Sequence, residues 1–242
     1  MRIRYTQTEK KSMVKRFLRE ITPLHVLYRI LIGDIDLLGY ISAWLTKPTY
    51  TVKGTVRNGF IHLYNNTFTN ERCVEIPIIC NLAKIDTSTG DDVLEVGNVL
   101  SHYFPLSHDI VDKFEKGNNV INTDIVEYSP KKQYRAIVSI STFEHIGFDD
   151  DVIDQNKVIE AFNHAKTLLQ QDGIVAITMP IGYNPHITQH LETNAFGFSE
   201  MIFLKRISKK QWIETSLSDV KNIKYDSPFP RGNAIVVGIW RK

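Results

Sequence analysis

Between Asp91 and Pro180 short apolar, β-branched runs alternate with polar, helix-compatible stretches. The runs are VLEV, DIV, NVI, RAIVSIS and GIVAITMP. Apolar on successive residues rather than on every second one, they predict parallel strands covered on both faces. Four of them close on a small or acidic residue: Gly97, Asp112, Asp124 and Ser141. Ligands of open α/β sheets lie outside the carboxyl ends of the strands, so these four positions predict a single crevice. The seven residues between Asp112 and Val120 are few for a parallel crossover, which predicts either a bare turn there instead of a helix or a second strand placed elsewhere.

Met13, Val14, Phe17, Leu18 and Ile21 recur at helical spacing after Ser12, a candidate cap, with Lys10, Lys11, Lys15, Arg16 and Arg19 on the other side. This face suits solvent or an anionic membrane surface. A second helix is expected after Gly33, capped by Asp34, with Leu37, Leu38, Ile41, Trp44 and Leu45 as its apolar stripe, stopped by Pro48. The apolar stretch from Leu24 to Leu45 is expected to pack over the crevice. It does not read as a membrane span, because Arg29, Asp34 and Asp36 stand in its middle. A hairpin is predicted around Asn58-Gly59, between TYTVKGTV and FIHLYN. A lead-in helix capped by Thr69 or Asn70 carries Val74, Ile78, Ile79 and Leu82, with Pro77 in its first turn or the helix starting later. Arg72 and Glu75 on it either face the crevice or form a surface ion pair. After the fourth strand, Asp151 to Gln170 predicts a helix ended by Asp172-Gly173, and IGYNPHITQHL predicts a loop over the crevice. MIFLKRIS predicts a strand, KKQWIETSL a short helix, and NAIVVGIW a last strand.

The formal charge of +2 does not call for a nucleic-acid partner. Cys73 and Cys80 are the only cysteines, too few for a secreted disulfide framework, and read as reduced thiols. No zinc-spaced Cys/His cluster, Walker-type loop or G-x-S-x-G elbow occurs, so no metal is expected. With no leader recognisable, a cytoplasmic location is the expectation.

VLEVGN, IVDK, NTDIVEYSP, YRAIVSISTFEHI and GIVAITMP occur in the order of the strand motifs of class I S-adenosylmethionine-dependent methyltransferases, which the chain resembles from roughly Glu75 to Lys242. The resemblance implies an α/β, Rossmann-like, doubly wound, mostly parallel sheet with an antiparallel last strand. An N-terminal helical and hairpin region, residues 1–72, would precede a methyltransferase domain, residues 73–242. It implies S-adenosyl-L-methionine as cofactor and a small molecule or glycan as acceptor, with transfer to oxygen favoured. Glu95, Gly97, Asn98, Asp112, Asp124, Ile125 and Ser141 would form the cofactor side. Glu95 would accept from the cofactor's amino group or hold the loop, Asp112 would take both ribose hydroxyls, and Asp124 the adenine amino group. His145 would be the general base, since imidazole titrates near neutrality, with Glu144 orienting it or capping the next helix. His186 and His190 are the alternative bases. The family's further glycines are replaced by Asn98, Val99 and Leu100. That departure leaves a non-catalytic binding module as the second reading. A nucleotide-linked dehydrogenase, which needs G-x-G-x-x-G, comes third.

Overall fold

A computed structural model describes residues 36–86, 89–117 and 119–242. The helix expected around Met13 to Ile21, and the Leu24 to Ile35 part of the apolar stretch, lie outside the described residues.

The strands are β1 (Thr49–Val52), β2 (Thr55–Asn58), β3 (Val93–Val96), β4 (Asp109–Val111), β5 (Val120–Ile121), β6 (Tyr134–Ile140), β7 (Leu169–Pro180), β8 (Glu200–Ser208), β9 (Gln211–Thr215) and β10 (Ala234–Arg241). They join in one sheet in the order β2-β1-β9-β8-β10-β7-β6-β3-β4-β5. From β5 to β7 every pairing is parallel. The last strand, β10, enters antiparallel between β7 and β8. This is the expected doubly wound, Rossmann-like arrangement, extended at one edge by β9, β1 and β2.

Alternation along the central strands supplies both faces. Leu94, Val96, Ile137 and Val175 join the core under α3 (Lys157–Thr167) and α4 (Pro185–Glu192), with Phe162, Ala165 and Leu191. Val93, Ala136, Val138 and Ile140 face α2 (Arg72–Leu82), with Val74, Ile76 and Ile79. Each fully buried Val, Leu, Ile or Phe side chain among them contributes about 1.5–3 kcal/mol.

Pro77 lies inside α2, beyond its first turn. A proline there leaves the carbonyl four residues back without its amide. That carbonyl, on Cys73, accepts from Phe60 N–H at 2.7 Å. The substitution both satisfies the helix and ties the preceding loop to it.

Five local expectations are corrected. The hairpin turns at Lys53-Gly54, both at positive φ, with β1 and β2 on either side. Gly59 instead packs where a Cβ would stand 3.1 Å from Cys73 O and 3.2 Å from Pro48 Cβ. Residues 211–215 are strand β9, held between β8 and β1, with Trp212 buried. Asp172-Gly173 does not end a helix; it lies within β7, opposite a register shift in β6. The loop expected over the crevice contains α4, which starts at Pro185 after Asn184, whose side chain accepts from His186 N–H. Finally, α1 (Leu37–Leu45) is capped by Asp36, not Asp34, and its stripe is exposed: Leu38 81%, Trp44 65% and Leu45 69%.

Candidate functional site

A cavity of about 270 Å³ opens at the carboxyl ends of β3, β4, β5 and β6. Val96, Gly97, Val111, Phe114, Ile125 and Ile146 provide its apolar walls, and Asp112, Lys113, Glu115, Asp124, Thr142, His145 and Asp150 its polar ones. Of the residues expected here, Gly97, Asp112, Asp124, Ile125 and His145 line it, whereas Glu95, Asn98, Ser141 and Glu144 do not.

Gly97 has φ +86°, and a Cβ on it would stand 2.1 Å from Thr142 Oγ1. The β3 turn therefore runs against the β6 turn with room for glycine alone. Beyond it, carboxylates take up the backbone amides. Glu95 is fully buried, and its Oε1 accepts from Val99 N–H at 3.0 Å and Leu100 N–H at 2.7 Å. Its Oε2 meets His108 Nε2 at 2.6 Å. Asp112 Oδ2 accepts from Asn98 N–H at 3.1 Å, and Asn98 Nδ2 donates to Glu115 Oε1 at 2.6 Å. A pyrophosphate cradle needs those amides free, so this turn does not suit a dinucleotide.

Asp112 Oδ1 also accepts from Phe114 N–H at 2.8 Å and Glu115 N–H at 2.7 Å. A carboxylate has about four acceptor positions. Three are occupied, leaving room for a single further donor rather than the pair of ribose hydroxyls expected from sequence.

Asp124 follows β5, the two-residue strand, and caps the 3-10 turn Ile125–Glu127 through Val126 N–H. Its Oδ2 meets Lys157 Nζ at 2.7 Å and Lys113 Nζ at 3.4 Å. The same lysines hold Asp150, each at 2.6 Å. Burial would raise the Asp124 carboxyl, but the Lys157 hydrogen bond, the Val126 amide and both lysine charges outweigh it and hold the group below its ordinary value. Asp150 is lowered for the same reason, burial being outweighed by its two lysines. This network went unread in the sequence; the cue was a lysine directly after the acidic β4 tip and the acidic run from Asp149 to Asp151.

Ser141 stands at φ +41°, with its N–H donating to Thr178 O at 2.9 Å and its Oγ donating to Glu75 Oε1 at 2.6 Å. A non-glycine residue there is strained. The bonds to β7 and α2 hold it, and Thr142 takes the lining position. Glu75, fully buried, also pairs with Arg72 Nη1 at 2.6 Å, so this pair is internal and not a surface contact.

Glu144 faces the same buried group and is 1% exposed. Burial pushes its carboxyl well above the ordinary range; Glu75 and Glu71 add to this, and its own backbone amide and Arg72 only partly offset it. Its Oε2 has no hydrogen-bond partner. Its Oε1 is 3.6 Å from His145 Nε2. The group that orients His145 is instead Asp149, whose Oδ2 meets Nδ1 at 2.5 Å and accepts from Tyr183 Oη at 2.8 Å. Neither His186 nor His190 lines the cavity; His190 Nε2 meets Gln155 O at 2.8 Å.

No protein-family model matches the sequence, and a comparison with curated proteins finds no match. The solved structures to which the chain is similar include S-adenosylmethionine-dependent methyltransferases. One is the N-methyltransferase NodS from Bradyrhizobium japonicum WM9 in complex with S-adenosyl-L-homocysteine. It is 9% identical over 69% of this chain and 83% of that one, with a TM-score of 0.43. A SAM-dependent methyltransferase from Archaeoglobus fulgidus is 16% identical over 74% of this chain and 98% of that one, at 0.40. TehB from Haemophilus influenzae is 14% identical over 69% and 62%, also at 0.40. The identities are low and the overlaps partial, and the fold is defined by its strand order. Among the described residues no helix is long and apolar enough to cross a membrane, and no group of His, Cys, Asp and Glu is arranged for a metal.

Proposed function

We propose that the chain is an S-adenosyl-L-methionine-dependent methyltransferase acting on a small-molecule or glycan acceptor, with transfer to oxygen favoured. The observation that carries this reading is an oriented histidine, His145 on Asp149, at the mouth of the crevice formed by the β3 and β4 tips.

The residues fit the cofactor in kind. Val96, Val111, Phe114, Ile125 and Ile146 give an apolar slot for a nucleoside, and Gly97 lets backbone approach it. Asp112 retains one acceptor position for a ribose hydroxyl, Asp124 and the backbone at Ile125 stand at the adenine end, and Glu95, Asn98 and Ser141 hold the loops that shape the slot. The cofactor would supply a methyl group on a sulfonium. The chain's share is to hold the acceptor in line and remove its proton. Asp149 accepting from Nδ1–H leaves Nε2 of His145 as the base and stabilises the imidazolium that forms. Thr142 beside Gly97 would help place the acceptor.

A binding module without catalysis is the second reading, favoured by the lysines already paired with Asp124. One experiment separates the two. S-adenosylhomocysteine at about 100 times its dissociation constant adds about 2.7 kcal/mol, which for a chain of this length raises Tm by about 5–11 °C. Labelled methyl transfer into a cell extract then follows for the enzyme and not for the module. An unchanged melting curve at millimolar ligand sinks the methyltransferase reading and leaves the module.

A further inference from the structure

Helix α1 is fixed to the body by its inner side. Ala43 is fully buried, Tyr40 meets Phe68 edge-on at 5.9 Å, and Lys210 Nζ donates to Ser42 O and Oγ at 2.9 Å. The outer side is apolar. Leu37, Leu38, Ile41, Trp44 and Leu45 fall on one face of a helix, with exposures from 38% to 81%. An apolar face held outward by a rigid mount marks a contact surface, not a loose end.

Charge identifies what the surface meets. Residues 1–35, which lead into α1, hold eight Lys and Arg against three Asp and Glu, while the whole chain is only +2. The rest of the chain is therefore net negative, and the chain's excess of positive charge lies in the sequence directly before this helix. Within that stretch Lys10, Lys11, Lys15, Arg16 and Arg19 interleave with Met13, Val14, Phe17, Leu18 and Ile21. Leucine, isoleucine and tryptophan bordered by clustered lysine and arginine match an acyl-chain boundary beneath anionic headgroups. Trp44, with its amphipathic ring, belongs at such a boundary.

We propose that the outward face of α1 seats the protein peripherally on an anionic membrane surface. The face adjoins the crevice rim through few contacts. Asp36 N–H donates to Asn66 Oδ1 at 3.4 Å; Tyr64, two residues before, stacks on His102 at 4.9 Å; and His102 Nε2 is 3.2 Å from Glu115 Oε1 on the cavity wall.

The test is co-sedimentation of the full chain with vesicles of phosphatidylcholine alone or mixed with phosphatidylglycerol, at low and high salt. Each basic residue near the surface is worth roughly fivefold in partitioning, so the mixed vesicles should bind at least about tenfold more protein, and salt should reverse it. The triple variant Leu38→Ser, Trp44→Ser, Leu45→Ser should lose at least about tenfold in binding with an unchanged Tm, since these side chains are exposed. Four results overturn the proposal. The parent stays in the supernatant; the triple variant binds like the parent; the parent self-associates with concentration and the variant does not, which assigns the face to a second copy; or the variant melts several degrees lower, which assigns the face to the chain's own N-terminal residues.

Discussion

Replacing Glu144 with glutamine should stabilise the protein, and increasingly so as pH rises. The carboxyl is 1% exposed, with one oxygen unpartnered and the other 3.6 Å from His145 Nε2. Burial first, then Glu75 and Glu71, raise its pKa. In the unfolded chain the same group ionises in the ordinary carboxylate range, so above that range the folded state binds the extra proton. The stability it contributes is complete below the unfolded pKa and is lost as pH rises toward the folded one. The loss amounts to about 1.4 kcal/mol per pH unit across that window, or about 3–6 °C in Tm for a chain of this length. Glutamine keeps the shape and has no proton to lose. Melting curves of parent and Glu144→Gln at pH 5, 6, 7 and 8 should coincide most closely at pH 5 and separate steadily above it, with the variant higher. A constant offset, or a variant that melts lower at pH 8, would mean that the carboxyl is ionised in the fold and has a donor, and the reasoning fails.

Two further outcomes follow from the crevice. His145→Ala should lower kcat by about 10²–10⁴-fold with cofactor affinity unchanged, and Asp149→Asn should move kcat in the same direction; a parental rate in either would remove the base from the reaction. Lys157→Met strips Asp124 and Asp150 of a shared donor and should cost about 1–3 kcal/mol at pH 7. Because both acids are lowered, the contribution exists above their unfolded values and fades as pH falls through the folded ones, so calorimetry at pH 7 and pH 3 should show the gap closing.

The centre of the fold was legible because strands covered on both faces can be built from few residue types. RAIVSIS and GIVAITMP have no plausible place except in a buried sheet. The edges were misread because pairing there overrides local preference. KKQWIETSL became β9 once Trp212 had a pocket and a neighbour on each side. Asn58-Gly59 carried a true glycine requirement, but the reason was close packing on Pro48 and α2, while Lys53-Gly54 supplied the turn. In the site, the strand tips gave the positions of Gly97, Asp112 and Asp124. Their partners were not visible, because Lys157 comes from a helix far along the chain and Glu75 reaches Ser141 across 66 residues.

Those partners decide what each acid does. Four carboxyl groups expected to serve cofactor or catalysis differ little in sequence, and the structure gives each a different state. Glu95 is spent on two amides and His108; Asp112 on three amides, with one acceptor position left; Asp124 on two lysines; and Glu144 is pressed toward its neutral form. An acid at a strand tip is thus a candidate ligand only to the extent that its lone pairs remain open. By that measure Asp112 has the strongest claim on a ribose, and the claim of Asp124 depends on Lys157 yielding. The same measure separates the catalytic candidates. Glu144 has an open oxygen but no access, whereas His145 is 40% exposed, lines the cavity and has its far nitrogen fixed by Asp149. A base needs access and a held tautomer together, and within this crevice His145 has both.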